Sequence, residues 1–316
     1  VFRGFGVVYK RQVSGQAVRY LSASPLLSTA VGGVAALLLA GSNDQQHALL
    51  PKVAAGELLL SLAVDETPRH NPSQVSTRLE AKGDGFVLNG RKQFVIDGHV
   101  ADKLIVSARS SGADSERDGI SLLLVDRTAA GVKVERVSMA DSRNAALVTF
   151  TDVAVAASDL LGEAGKGFDA LELTLDVVNG QLAAELLGLS LEAFERTVAY
   201  LQERKQFGVT LSSFQGLQHR CAHLFSELEL VKSVVLKALM ALDEGDEDAS
   251  MLVSLAKAKA SEVAELATNE AVQMHGGMGM TDEFDIGLFM KRARCVQALF
   301  GDFRYHANRF ALLRGY

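Results

Sequence analysis

Two cysteines in 316 residues, Cys221 and Cys295, are too few for a disulfide framework and have no metal-ligand spacing. A reducing compartment, the cytoplasm, is therefore expected. No basic block is present either. With 38 acidic and 32 basic residues the net charge is -6, which speaks against nucleic acid or an anionic membrane as the main partner. Long apolar runs are also missing. The longest, Leu26 to Ala40, is interrupted by Ser28, Thr29, Gly32 and Gly33 and falls short of the roughly 20 residues a spanning helix needs. It reads as a buried helix, and no membrane span is expected. No Met opens the chain. Val1-Phe2-Arg3-Gly4 has neither the basic start nor the long apolar core of a signal peptide, so the true beginning is expected to lie upstream.

What is present is ordinary for a globular protein: 48% hydrophobic and 22% charged residues. The length suggests two or three packed units sharing a large apolar interior. Prolines number 4, all in the first quarter, and Pro51 marks a stop after a helical reading of Asp44 to Leu50. Ser42 or Asn43 would cap that helix. From about residue 58 to 160 the pattern becomes β-type. Gly83-Asp84-Gly85 and Asn89-Gly90 read as tight turns flanking Phe86-Val87-Leu88. Phe94 to Ile96, Leu104 to Val106, Ile120 to Val125, Val132 to Val134 and Ala146 to Phe150 are short strand-like runs. With no helical pattern between them, an antiparallel barrel or sandwich is expected.

Beyond Phe168 apolar residues recur every three or four positions through 168–206, 211–243, 249–275 and 284–313. Four long helices with short connections predict an up-and-down bundle. Asp243-Glu244-Gly245-Asp246-Glu247-Asp248 reads as a solvated loop rather than a cation site. His219 and His223 have the i,i+4 spacing of a metal helix, but no carboxylate ligand or third ligand accompanies them, so they read as surface histidines.

Three spots carry possible cofactor chemistry. Gly276, Gly277 and Gly279 at a helix end allow close backbone approach, or make a simple C-cap and loop. Arg204-Lys205-Gln206-Phe207-Gly208 reads as a helix end stopped by Gly208, though Arg204 also suits a pyrophosphate. Phe94 is either a core aromatic or a platform for a flat cofactor. The residues alone reveal no catalytic centre.

Taken in order, several motifs resemble the acyl-CoA dehydrogenase family. They are Leu62-Ala63-Val64-Asp65-Glu66, Gly83 to Gly98, Leu161-Gly162 with Gly165 and Gly167-Phe168, Arg204 to Gly208 with Phe214-Gln215, and Gln273 with Gly276-Gly277. The resemblance covers nearly the whole chain. It implies an α+β fold: a helical N-terminal domain over 1–60, shorter than usual, a central antiparallel β domain over 61–162, and a four-helix bundle over 163–316. It implies FAD, with Val64, Asp65, Phe94, Val95 and Ile96 along the isoalloxazine. Arg204, Phe207, Gln273, Gly276 and Gly277 would reach the pyrophosphate and adenosine of a neighbouring subunit's cofactor. The implied reaction is α,β-dehydrogenation of an acyl-CoA thioester to a 2,3-enoyl-CoA, in fatty acid or steroid side-chain degradation. An electron-transfer flavoprotein or similar acceptor and a homo- or hetero-oligomer are the implied partners.

One departure stands out. The family's catalytic Glu precedes a Gly, and the matching triplet here is Phe300-Gly301-Asp302. The alternative position on the first bundle helix matches Val178, beside Asn179, where an Arg is common. Neither Phe nor Val takes a proton. Glu66-Thr67-Pro68-Arg69-His70-Asn71 likewise replaces the usual glycine-rich loop. Three readings follow: a dehydrogenase using Asp302, or Glu185, as base; a non-catalytic partner subunit of a heteromeric dehydrogenase; or other flavin chemistry such as oxygenation.

Overall fold

A computed structural model describes residues 19–316, so the start of the expected N-terminal helical domain lies outside the described residues. The described residues divide into two compact units, residues 23–178 and residues 179–316, the second joined by residues 19–22.

The first unit opens with a π-helical stretch, Leu26–Gly33, that runs into helix α1, Val34–Ala40. The interrupted apolar run is thus helical, and its interruptions have a use. A Cβ on Gly33 would lie 2.5 Å from the Cβ of Leu60, so only glycine lets this helix approach strand β1, Leu60–Ala63. Thr29 Oγ1 donates to Leu60 O at 3.0 Å and accepts from Leu60 N at 3.0 Å, which ties the strand edge to the helix. Helix α2 spans Asn43–Ala54, with Ser42 and Gln45 forming a reciprocal capping box. Pro51 does not stop it. The helix runs on to Ala54, forgoing the one backbone bond that the proline's missing N–H would make.

Seven further strands complete one eight-stranded sheet: β2 Arg78–Lys82, β3 Gly85–Ile96, β4 Lys103–Arg109, β5 Ile120–Asp126, β6 Val132–Ser138, β7 Asn144–Ala156 and β8 Leu160–Leu161. The order is β6-β7-β3-β2-β4-β5-β8, with β1 beside β4. Pairing is antiparallel throughout except that β1 runs parallel to β4 and Arg78 of β2 pairs parallel with Arg109. One face closes over Leu79, Leu88, Val95, Leu104, Val106, Leu123, Val125, Val148 and Phe150. The Asp84 turn forms the expected hairpin. Asn89-Gly90 instead lies inside β3, opposite an extra residue in β7 between Leu88 and Gly90. The reason is local: Asn89 Oδ1 accepts from Asp152 N at 2.8 Å, and a side chain at Gly90 would collide with Thr77.

Helix α3, Phe168–Glu203, crosses the unit boundary. The second unit continues with a small hairpin, β9 Lys205–Gln206 and β10 Val209–Thr210, then α4 Gln215–Glu244, α5 Ala249–His275, α6 Ile286–Ala298 and α7 Phe303–Leu313. Gly245 ends α4 in the left-handed conformation, within the predicted acidic loop. Helix α5 packs against α4, α6 and α7 through small residues, among them Ala256, Ala260, Ala264, Ala267 and Ala271, at three- and four-residue steps. The expected fourth helix over 284–313 is two. Its periodicity is helical, but Phe300 (φ 49°) and Gly301 (φ 108°) break the ladder. Among the described residues no helix is long and apolar enough to cross a membrane.

Candidate cofactor and active site

Strand β3 would, by strict alternation after Leu88 and Lys92, turn Phe94 into the core. It does not. Lys92 pairs with Val148 and Val95 with Ala146, so Gln93 and Phe94 together oppose Leu147 alone. This bulge shifts the inward position to Val95, which is 1% exposed, and sends Phe94 out at 44% exposure with φ 50°. The amide of the bulged Gln93 is satisfied from elsewhere: it donates to Asp65 O at 2.7 Å. Val64, Asp65, Phe94, Val95 and Ile96 are therefore brought together, with Val64 and Val95 buried and Phe94 presented outward.

The residues that fix this arrangement escaped the sequence analysis. Lys92 is fully buried, and its Nζ donates to Val64 O (3.0 Å), Glu66 Oε1 (2.7 Å) and Ser107 Oγ (3.0 Å). Glu66 also accepts from the amides of Ser76 and Thr77. Burial works against the Glu66 carboxylate, but Lys92 and these amides outweigh it and hold its pKa below the ordinary value. Burial likewise pulls Lys92 below its ordinary value, with Glu66 opposing. His70 Nδ1 lies 2.8 Å from Asp65 Oδ1 in the loop that departs from the family pattern. The only sequence signal for Lys92 was a cation at an inward strand position.

In the second unit the helix ends at Glu203, one residue before the segment expected to end it. Arg204 to Gly208 instead enters the β9-β10 hairpin, whose central residues Phe207 (φ 55°) and Gly208 (φ 84°) are both left-handed. Phe207 is 91% exposed, with its ring edge-on to Phe214 at 6.1 Å. Arg204 lines an open cleft of about 520 Å³ together with Arg196, Tyr200, His275, Phe284 and Asp285. His275 stacks on Tyr200 at 4.3 Å, and its burial lowers its pKa. Next to His275, Gln273, Gly276 and Gly277 are exposed, and nothing lies within 4 Å of a Cβ added to either glycine. Gly276 (φ 60°) caps α5, so the cap and the open backbone coincide. Gly279 is required for a different reason, because a Cβ there would sit 2.7 Å from Val272 O. His219 and His223 are exposed on α4.

The segment where the resemblance puts a base is held tightly. Lys257 of α5, fully buried, donates to the carbonyls of Gln297 (3.3 Å), Leu299 (3.0 Å) and Gly301 (2.9 Å). Burial pushes its pKa down to about 7, while Asp302 and Glu185 pull upward. His306 Nε2 lies 3.1 Å from Phe300 O. Phe300 is 8% exposed. Asp302 is exposed and caps α7, its Oδ1 accepting from Tyr305 N at 2.9 Å. Glu185 is tied up with Arg292 at 2.6 Å, both side chains nearly buried. Val178 is buried, and Asn179 Oδ1 is buried with no hydrogen-bond partner.

Comparison with known proteins gives this arrangement a lineage. The profile described as acyl-CoA dehydrogenase, middle domain, matches residues 65–153, and that for the acyl-CoA dehydrogenase C-terminal domain matches residues 165–311. A probable acyl-CoA dehydrogenase of Bacillus subtilis is 31% identical over 84% of this chain and 70% of its own length. The short/branched chain specific acyl-CoA dehydrogenase of Bos taurus is 31% identical over 80% of this chain, which spans 59% of that protein. In structure, butyryl-CoA dehydrogenase from Megasphaera elsdenii superposes with a TM-score of 0.92 at 27% identity, over 98% of this chain and 83% of that one. Two family domains in sequence, and a relative matched over most of its length, make this chain a member of the acyl-CoA dehydrogenase family.

Proposed function

We propose that this chain is an FAD-dependent acyl-CoA dehydrogenase that converts an acyl-CoA thioester to its 2,3-enoyl form. The observation that carries this reading beyond family membership is the bulge that turns Phe94 outward beside Val64 and Asp65. A flat ring needs an apolar platform, and a strand that spends a bulge to expose an aromatic offers one. The second unit offers what a dinucleotide's phosphates need: the guanidinium of Arg204, and open backbone at Gly276 and Gly277. The residues present therefore fit FAD, which when bound supplies the acceptor for the substrate's β-hydride. Val64, Asp65, Phe94, Val95 and Ile96 would hold its ring. Arg204, Phe207, Gln273, Gly276 and Gly277 would serve its phosphates and adenosine, from a neighbouring subunit.

The chain's own proton chemistry falls to Asp302 in this reading. Glu185 is locked to Arg292, whereas Asp302 spends one oxygen on the helix cap and is exposed. Its role would be to take the substrate's α-proton. Reducing equivalents would leave through an electron-transfer flavoprotein or a similar acceptor.

The test uses the purified full-length protein. Wild type should carry a flavin absorbance band that bleaches with butyryl-CoA or a steroid side-chain CoA thioester. A protein that takes up no FAD removes the reading. Asp302→Asn keeps the helix cap, since Asn caps as well as Asp, and should slow bleaching by roughly 100-fold or more. Unchanged bleaching would dismiss Asp302 as base. A flavin-loaded chain that no acyl-CoA bleaches would turn attention to the partner-subunit reading, which the comparisons do not favour.

A further inference from the structure

We infer that the Lys92–Glu66 ion pair is a positioning device that sets the β3 bulge and so determines whether Phe94 faces the cofactor or the core. The inference rests on the FAD reading above and concerns residues that touch no cofactor themselves. A bulge costs ladder hydrogen bonds and leaves an unpaired amide, so it persists only where other contacts hold it. Here those contacts come from a single segment. The Gln93 amide donates to Asp65 O at 2.7 Å, and Gln93 Nε2 donates to Glu66 O at 2.6 Å. Lys92, the last residue in register before the bulge, donates to Val64 O and to the Glu66 carboxylate. Segment 64–66 is therefore laced to β3 at the last paired residue before the register shift and at the first residue of the bulge.

Glu66 anchors that segment from behind, through the amides of Ser76 at 2.7 Å and Thr77 at 3.1 Å. Ser107 of β4 takes the third donor of Lys92. The ammonium is thus matched by three acceptors, two on segment 64–66 and one on β4. Without the pair, segment 64–66 loses its hold on Gln93, and the favoured alternative is the regular ladder. In that register Phe94 turns inward and Val95 outward, because a one-residue shift exchanges the two faces. The pair thus acts at a distance, through backbone register rather than contact.

Three measurements decide it. Apoprotein titrated with FAD, followed by quenching of flavin fluorescence, should show Glu66→Gln binding about tenfold more weakly than wild type, the effect of losing a charge-assisted bond in a buried network. The visible flavin band of that variant should change shape, while its far-ultraviolet circular dichroism stays that of wild type. Lys92→Met should weaken FAD binding further or fail to fold. If either folded variant binds FAD with wild-type affinity and an unchanged band, the proposal is overturned. The third measurement needs no variant. Native-state hydrogen exchange of wild type should show the Gln93 amide protected as strongly as its neighbours in β3, and a freely exchanging Gln93 overturns the proposal as well. A wild type that binds no FAD would remove the functional reading, while the exchange measurement would still report on the bulge.

Discussion

Two fully buried lysines organise the two units in different ways. Lys92, in the sheet, has a carboxylate partner at 2.7 Å and one backbone carbonyl. Lys257, in the bundle, has three carbonyls at the end of α6 and no carboxylate in hydrogen-bond contact. Both geometries satisfy three donors. They differ in what repays the loss of water. An ion pair gains Coulomb energy that grows as the surroundings dry out. Carbonyl dipoles at a helix end repay less. Lys257 accordingly falls to about 7, while Glu66 in the first cluster stays ionised with a lowered pKa. Burial pulls both lysines down, but only in the first cluster does a carboxylate in hydrogen-bond contact oppose it.

That comparison can be broken in four places. The largest effect is expected from Lys92→Met, which strands Glu66 in the sheet and should cost about 3–5 kcal/mol in denaturant unfolding. Gly301→Ala comes next. Its φ of 108° suits glycine, and a Cβ would lie 2.8 Å from His306 Nε2. A loss of about 2–3 kcal/mol is expected, with the loop rather than the sheet disturbed.

The third is a pH series. The folded pKa of Lys257 lies near 7, below the 10.5 of the unfolded chain, so between these values the unfolded state binds the extra proton. Its cost is fully present below pH 7 and is relieved as pH rises toward 10.5, so stability should increase with pH across that window. The slope should be at most about 1.4 kcal/mol per pH unit. Lys257→Met should flatten that slope, and a wild-type profile that matches the variant's would contradict the assignment. The smallest effect is expected from Asp302→Asn, whose melting temperature should stay close to wild type because the cap persists. Asp302→Ala should lose about 1 kcal/mol.

Much of the architecture was legible because it follows from local rules. Periodicity found the helices of the bundle, alternation and turn residues found the strands, and Ser42, one of two candidate caps, marked the start of α2. The misses share one cause. Asn89-Gly90 has the composition of a turn but lies in a strand, since Asp152, far along the chain, partners Asn89, and Thr77 leaves room only for glycine at position 90. The stretch 284–313 has helical periodicity across a break that Lys257 of α5 and His306 of α7 hold open. Arg204 to Gly208 has the cations of a helix end, yet forms a hairpin with an exposed aromatic at its tip.

By itself the sequence determined the family and the succession of helical, β and helical regions, because these depend on residue identity and short-range spacing. Only the tertiary structure decided which way Phe94 faces and what holds Phe300 in a left-handed turn. In both places a buried lysine reaches acceptors far along the chain, Val64 O and the Glu66 carboxylate for Lys92 and the carbonyls of Leu299 and Gly301 for Lys257. No local pattern encodes where a flexible four-carbon side chain will find its three acceptors once water is gone.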